Sequence, residues 1–188
     1  MTVSKRRPEK SRFSQNSLNV LIILGSVAGC LLLSPMRFFG IELLGVAPNW
    51  LLIWVVSWSV HRSVFAGAIA GITLGLVQDA LTGPFPTHAI GLMIVGMLTA
   101  RLQRQRLMRE SIVLIAFIVF GMAVIDATAI ALQLSLHRLL VADSPYPELL
   151  RIWRQHQQVA LGSAILSSLW TPAIYLPLHR WWKGYWVD

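Results

Sequence analysis

Two aspartates within apolar sequence are the residues of this chain best placed to do chemistry. Asp79 ends the stretch AGAIAGITLGLVQD, and Asp126 lies inside FGMAVIDATAIALQL. A pair of carboxyl groups can act as general acid and general base on one bond. These two fall on different predicted helices, Asp126 near the centre and Asp79 near the end, and each helical turn of mismatch separates them by about 5.4 Å. A membrane enzyme built on this acid pair is therefore the least favoured of the functions considered below.

Asp126 demands an explanation in any case. An aspartate at the centre of a membrane helix costs about 2.5–3.5 kcal/mol on insertion, so Asp126 is expected to face the interior of a helix bundle, protonated or hydrogen-bonded. It is a candidate proton or substrate site, or a polar contact with another subunit. The remaining interpretation is an internal hydrogen bond to a neighbouring helix, with Thr73, Gln78 or Thr128 as the partner.

Glycines recur every four residues ahead of Asp79. Gly67, Gly71 and Gly75 lie on one helix face, and Asp79 continues the same spacing. In lipid, helices associate largely through close backbone approach, which small residues permit. This glycine ladder predicts a packing face, directed either into its own bundle or toward a partner. The carboxylate at its end is expected to cap the next helix, to bind a cation, or to pair with a basic residue of a partner.

No other catalytic or metal-binding pattern occurs in the sequence. The histidines fall near span ends on different segments, without the spacing that places two zinc ligands on one helix. There is no Gly-x-Ser-x-Gly elbow and no Gly-x-x-x-x-Gly-Lys phosphate loop. We therefore predict no catalytic residue, no cofactor and no metal site. The histidines are His61, His88, His137, His156 and His179.

The composition sets the class of protein that carries these residues. Of the 188 residues, 55% are hydrophobic and 13% are charged, and the mean hydropathy is +0.62. A soluble domain of this length needs more charge to cover its surface, so the chain is predicted to be an all-α integral membrane protein. The net charge of +8 comes from basic residues placed between apolar segments, which indicates membrane topology rather than nucleic-acid binding.

The single cysteine, Cys30, excludes an intrachain disulfide. It ends the sequence Val27-Ala28-Gly29-Cys30, which is similar to a lipoprotein cleavage box. The apolar run continues past it through three leucines, whereas a processed lipoprotein usually turns polar there. An unmodified cysteine in a membrane helix is the favoured interpretation.

Six apolar segments approach the length of about 17–25 residues that a membrane helix needs. The second is short and is introduced by Pro48 and Asn49, residues typical of a helix start, and the fourth is short as well. The predicted membrane domain covers 18–182, between a disordered basic tail at 1–17 and a cytoplasmic tail at 183–188, with an external amphipathic connection at about 137–157. The spans are about 18–36, 46–60, 63–81, 87–100, 111–136 and 158–178.

Six spans place both termini on one side of the membrane, and the basic residues indicate which side. Segments on the side of the termini hold 12 of the 16 lysines and arginines. Positive charge concentrates on the cytoplasmic side of membrane proteins, so both termini are predicted to be cytoplasmic. The four basic residues on the other side are Arg37, Arg138, Arg151 and Arg154.

The stretch from Pro48 to Gly91 resembles the bacterial rod shape-determining protein MreD. A Pro-Asn pair opens a short second span, and the third span reads Gly-x-x-x-Gly-x-x-x-Gly-Leu-x-x-Asp from Gly67 to Asp79. A turn rich in glycine and proline then leads to Gly91-Leu92. Small size, a basic N-terminal tail and about six spans agree with this family.

The resemblance implies a non-catalytic multi-pass scaffold subunit in the bacterial inner membrane, within the machinery that synthesises peptidoglycan during cell elongation. The implied partners are MreC and, through it, the actin-like MreB, the transpeptidase PBP2 and the glycan polymerase RodA, besides membrane lipid. No small-molecule ligand and no nucleic acid are expected. The residues assigned to helix packing or to a partner interface are Pro48, Asn49, Gly67, Gly71, Gly75 and Asp79.

The resemblance to the MreD family also implies an alternative function. The fold of that family is similar to the fold of the substrate-binding subunits of energy-coupling-factor vitamin transporters. The alternative is therefore a membrane subunit that binds a small molecule and recruits an ATPase module.

Overall fold

The computed structural model describes residues 9–34, 46–83, 85–104, 111–141 and 146–186, and the regular elements within them are six α-helices. The first eight residues of the predicted tail, Arg37 and most of the charged loop after the fourth span lie outside the described residues, as do the last two residues of the C-terminal tail. The helices are α1 (Glu9–Leu33), α2 (Trp50–Ser59), α3 (Val64–Thr82), α4 (His88–Arg104), α5 (Ile112–Val141) and α6 (Tyr146–Trp186).

Three of these helices are long and apolar enough to cross a membrane. They are Val64–Thr82, Ile112–Val141 and the Leu149–Trp181 part of α6. Shorter apolar helical segments occur at Ser17–Leu33, Trp50–Ser59 and His88–Leu102. The prediction of an all-helical chain with membrane-length apolar helices is confirmed for the described residues.

The first and last helices extend beyond their predicted spans. Helix α1 begins at Glu9, within the segment predicted as a tail, and Cys30 lies inside it with 4% of its surface exposed. Helix α6 begins at Tyr146, so the region predicted as a separate external connection is divided between the end of α5 and the start of α6. No proline and only one glycine occur at 149–171, so nothing in the sequence breaks the helix where the polar residues give way to the apolar ones.

Helix α2 is the centre of the fold. Its ten residues span about 15 Å, half of the hydrocarbon thickness of a bilayer. Nine of the ten are buried, and seven of them expose 1% or less of their surface. A helix that is apolar on all sides needs protein around it, and α2 contacts each of the other five helices.

The remaining helices surround α2 in two antiparallel pairs, with α1 packed against α2 itself. Helix α3 packs along α4, and α5 packs along α6. Large apolar side chains cover the outward faces of these helices, as a lipid environment requires, with Phe65 76%, Phe117 70% and Leu169 71% exposed. At one end of the bundle, α1 and α3 end and α2 and α4 begin. We call this end of the bundle the cap end.

Candidate functional site

Helices α3 and α4 lie so close together that only glycine fits along their contact. A β-carbon added at Gly71 would overlap the carbonyl of Leu92, and one added at Gly67 would lie 2.5 Å from the carbonyl oxygen of Gly96. One added at Gly75 would overlap the α4 backbone as well. Because these neighbours are backbone atoms, no side-chain rotation relieves the overlap. The glycine ladder predicted from the sequence therefore faces α4 of its own bundle.

The partner helix contributes a glycine that the sequence analysis did not single out. A β-carbon at Gly96 would overlap the carbonyl of Gly67. Gly96 lies five residues after Gly91, outside the four-residue spacing of the ladder, so spacing alone did not mark it. The reciprocal overlap shows that the two backbones approach each other without intervening side chains.

Asp79 lies at the end of this contact and caps the start of α4. Its Oδ1 accepts hydrogen bonds from the backbone N–H of His88 at 2.7 Å and contacts the His88 ring Nδ1 at 2.8 Å. Its Oδ2 accepts a hydrogen bond from the Thr87 hydroxyl at 2.5 Å. Helix N-termini leave backbone amides without intrahelical partners, and a carboxylate satisfies them and complements the helix dipole. Of the three roles considered for Asp79, the structure shows the capping one.

The turn that Asp79 holds also binds α5. Gln133 accepts a hydrogen bond from the backbone N–H of Thr87 at 3.1 Å, and its amide donates to the Thr87 carbonyl at 3.0 Å. Gly83 ends α3 with φ at 122°, a conformation that favours glycine, and its N–H donates to the Asp79 carbonyl at 2.8 Å. The turn between α3 and α4 is thereby fixed to three helices at once.

Asn49 is the second polar centre and joins α2, α5 and α6. Its side-chain Oδ1 caps α2 by accepting from the N–H of Leu52 at 3.1 Å. Its own N–H donates to Ser167 Oγ on α6 at 3.0 Å, and its Nδ2 donates to Asp126 Oδ2 on α5 at 3.2 Å. Since Asp126 lies halfway along α5, the N-terminus of α2 begins inside the bundle.

Asp126 has a different partner from those predicted. Thr73 and Thr128 donate their hydroxyl protons to carbonyls of their own helices, and Asn49 is the hydrogen-bond partner of the carboxyl. The prediction of Thr73, Gln78 or Thr128 was wrong because Asn49, at the start of the predicted second span, was assigned only to the beginning of that helix and not to a contact with α5. A β-carbon at Gly91 would overlap Asp126 Oδ1, so that glycine makes room for the carboxyl.

A large cavity opens beside these polar centres at the cap end. Its volume is about 880 Å³, and it is lined by residues of all six helices and by the non-helical residues 34 and 46–49. Most of the lining is aliphatic. Pro48, Asn49 and Asp126 all line it, whereas the glycine ladder does not. The sequence analysis did not predict this cavity, because its wall is assembled from helices distant in the chain.

At the opposite end of the bundle, histidines from separate segments meet. The rings of His61 and His179 stack with centroids 5.5 Å apart, and the Tyr175 hydroxyl lies 3.2 Å from His179 Nδ1. The Arg62 guanidinium lies 4.3 Å from the centroid of the Trp58 ring. Burial lowers the pKa of Arg62 from its usual value. The sequence placed both histidines near span ends but gave no sign that they are neighbours.

The arrangement of these groups serves structure more directly than chemistry. Both aspartates accept hydrogen bonds from residues that begin a helix, and they belong to separate contacts, with Asp79 at the α3–α4 turn and Asp126 beside α2. Within the described part of the chain, no three His, Cys, Asp or Glu side chains are grouped so that they could hold a metal ion.

Comparison with known proteins identifies a family. A family model described as rod shape-determining protein MreD matches residues 14–172 of the 188-residue chain. That range includes the glycine ladder, both aspartates and the residues that line the cavity on α2 to α6. No curated protein and no solved structure matches the chain.

Proposed function

The chain belongs to the MreD family of rod shape-determining membrane proteins, and from this we propose that it is a non-catalytic scaffold subunit of the bacterial cell-elongation complex that binds MreC. The family match over residues 14–172 carries this proposal. Through MreC, the chain would be connected to MreB, PBP2 and RodA, and so to peptidoglycan synthesis.

The use of the polar residues supports a structural role. Polar groups inside membranes are expensive, and in transporters and pumps they mark substrate or proton pathways. In this chain Asp79 and Asn49 are engaged in helix capping, and Asp126 is bonded to one of those caps. The costly groups thus join one helix to the next, which suits a protein whose task is to present a fixed surface.

The packing also limits where a partner binds. Because α4 occupies the glycine ladder, MreC would contact a different surface. The outward faces of the helices carry exposed apolar side chains at Leu21, Phe65 and Leu140 among others, which suits contact with lipid or with a partner's membrane helix.

We propose further that the chain crosses the bacterial inner membrane six times with both termini in the cytoplasm. The chain has six described helices that alternate in direction, which supports six crossings with both termini on one side. The distribution of basic residues supports the orientation. The cap end, with its cavity, would then face the outer side.

A mild-detergent purification of the tagged full chain from its native membranes tests the scaffold role. Proteins and bound small molecules are quantified by mass spectrometry, with an unrelated tagged multi-pass protein as the control. We expect enrichment of MreC and of the elongation synthases. Recovery of a stoichiometric ATPase pair in their place would overturn the proposal in favour of the transporter alternative.

A further inference from the structure

One face of α6 is not covered by any other described helix. Exposed residues recur on α6 three or four positions apart, a spacing that places them on a single helix face. From Leu150 to Leu169 this face extends about 28 Å, close to the hydrocarbon thickness of a bilayer. We call it the α6 stripe. Its residues are Leu150, Arg154, Gln157, Leu161, Ile165 and Leu169.

The α6 stripe faces away from the cavity and from the core of the bundle. None of its residues lines the cavity, and the buried α6 residues at the same depth are Ala160 and Ala164, which do not belong to it. The α6 residues that do line the cavity are Ile152, Gln155, His156, Val159 and Ser163. The stripe therefore faces out of the bundle, where a membrane helix meets lipid or another protein.

Contacts between helices give the depth of the polar residues in the stripe. The turn after α3, a helix of membrane length, is bonded to Gln133 of α5, so Gln133 marks the membrane boundary at the cap end. The Thr128 hydroxyl lies 3.5 Å from His156 Nε2, which places these two residues at one level. Since α6 runs antiparallel to α5, Gln157 lies about 9 Å inside that boundary and Arg154 about 5 Å inside it.

The polar residues at this depth have no partner in the described bundle. Arg154 and Gln157, with Gln158 beside them, are exposed, and their side chains make no hydrogen bond or ion pair with any described residue. Polar side chains in the hydrocarbon region rarely face lipid. The long Arg154 side chain can extend to the head groups, but a glutamine side chain is too short to reach across about 9 Å. Contact with lipid therefore does not explain the two amides, whereas contact with a second protein does.

The charge of the stripe specifies what the covering protein carries. A guanidinium group only donates hydrogen bonds and is permanently charged, so its matching partner inside a membrane is a carboxylate. Glutamine amides form hydrogen bonds between membrane helices. Asp79 and Asp126 of the described bundle are bonded elsewhere. A second copy of this chain on the same face would set Arg154 against Arg154, and these like charges would repel each other.

We propose that the α6 stripe binds one membrane helix of a partner protein, and that this helix carries an aspartate or glutamate in the third of the membrane nearest the cap end. Arg154 pairs with that carboxylate, Gln157 forms a hydrogen bond to the same helix, and the aliphatic residues from Leu161 to Leu169 pack along its apolar part. This assignment goes beyond the scaffold role, because it specifies the surface and the chemistry of the contact and does not require that the partner is MreC.

Site-specific photo-crosslinking of the full chain in its native membranes tests the proposal. A benzophenone amino acid replaces Leu161, and in the control it replaces Leu76, an exposed α3 residue outside the cavity lining that lies about 9 Å before the end of its helix. The crosslinked peptides are identified by mass spectrometry. We expect position 161, and not position 76, to crosslink to a membrane helix of one other protein, with an acidic residue about two turns closer to the cap end.

Several crosslinking results would overturn the proposal. They are adducts with lipid alone, adducts with a second copy of this chain, equal yields at both positions, and a crosslinked helix without that acidic residue. A helix from a protein other than MreC would support the α6 stripe as a docking surface while contradicting the scaffold proposal, so the two can fail separately.

Charge reversal tests the pairing itself. Arg154→Glu should reduce the adduct about tenfold, and Arg154→Lys should retain most of it because lysine keeps the charge. Replacing the acidic residue of the partner with arginine should restore the adduct of Arg154→Glu. Gln157→Leu should also reduce the adduct, whereas a position that faces lipid would accept leucine without loss. Since both side chains are exposed, each variant should keep the unfolding temperature of the parent. An adduct that survives Arg154→Glu at full yield contradicts the pairing.

Discussion

Asn49 donates a hydrogen bond of 3.2 Å to the carboxyl of Asp126, although 77 positions of sequence separate the two residues. The position of each residue is explained by the hydrogen bond to the other. The carboxyl lies halfway along an apolar helix, where it requires a donor, and Asn49 is fixed in place because its own oxygen caps α2. The bond therefore links the start of the central helix to the middle of a long membrane helix.

Removing the acceptor from this pair should destabilise the protein. Asp126→Leu leaves the Asn49 amide without its partner, and we expect the free energy of unfolding to fall by about 1–2 kcal/mol, the upper part of the range for hydrogen bonds inside membranes. Asp126→Asn retains an acceptor and should cost less. Thermal unfolding in mild detergent measures both.

Thr73→Val on α3 is the control for that comparison, because the hydrogen bonds of the Thr73 hydroxyl go to carbonyls of its own helix. A loss as large for Thr73→Val as for Asp126→Leu would show that removing any polar side chain from a membrane helix has the same effect, and that the bond to Asn49 makes no particular contribution.

The close contact of α3 with α4 predicts opposite effects of alanine at two helical glycines. Gly71→Ala places a methyl group on the carbonyl of Leu92, so the helices must separate, and we expect a loss of about 1–3 kcal/mol. Gly121→Ala meets open space in the interior of α5 and should be neutral or stabilising by up to about 1 kcal/mol. The unfolding temperatures of the two variants measure this difference in stability, and Gly71→Leu is included as a more severe case. Equal tolerance of alanine at both positions would contradict the packing.

The cap on α4 should be lost with Asp79. Asp79→Ala removes the acceptor for the His88 backbone amide and for the Thr87 hydroxyl, and we expect a loss of about 1–2 kcal/mol. A double-mutant cycle with Thr87→Val measures the coupling, which should be at least about 0.5 kcal/mol for groups in direct contact. Strictly additive losses would mean that the two side chains act independently. Thr82→Val, which affects only a bond within α3, is the control.

The proposed orientation predicts which side of the membrane two positions face. In a Cys30→Ser background, which has no other cysteine, Phe85→Cys lies in the turn at the cap end and Ser63→Cys lies at the start of α3. We expect a membrane-impermeant maleimide to label Phe85→Cys in intact spheroplasts and Ser63→Cys only after lysis. The reverse pattern would place the cap end in the cytoplasm, and labelling of both before lysis would show that α3 does not cross.

The sequence was informative where a residue interacts within its own helix or with the next one. The ladder from Gly67 to Gly75 ends at Asp79, and both the packing partner and the capped helix follow directly along the chain as α4. Apolar run length likewise indicated α3 and α5, because one property of lipid, its thickness, sets that length.

Contacts between distant segments were not predictable in the same way. Nothing near Asp126 in the sequence indicates Asn49, Ser167 gives no sign that it accepts the Asn49 N–H, and Gly91 gives no sign that it makes room for the carboxyl. The cavity escapes prediction for the same reason, since its wall joins the end of α1 to the middle of α5 and the first half of α6. Such features depend on how helices pack, and a single sequence records only which residues are available.

The burial of α2 has a consequence for the order in which the protein is assembled during synthesis. A ten-residue helix is too short to be stable alone in a bilayer, and the helices that cover α2 are made both before it and after it. The last of them, α6, supplies Ser167 to Asn49 and sets Trp170 edge-on against Trp50, with ring centroids 5.5 Å apart. The second segment of the chain therefore reaches its final position only when the sixth has left the ribosome, and a chain that stops short of α6 leaves its own core unassembled.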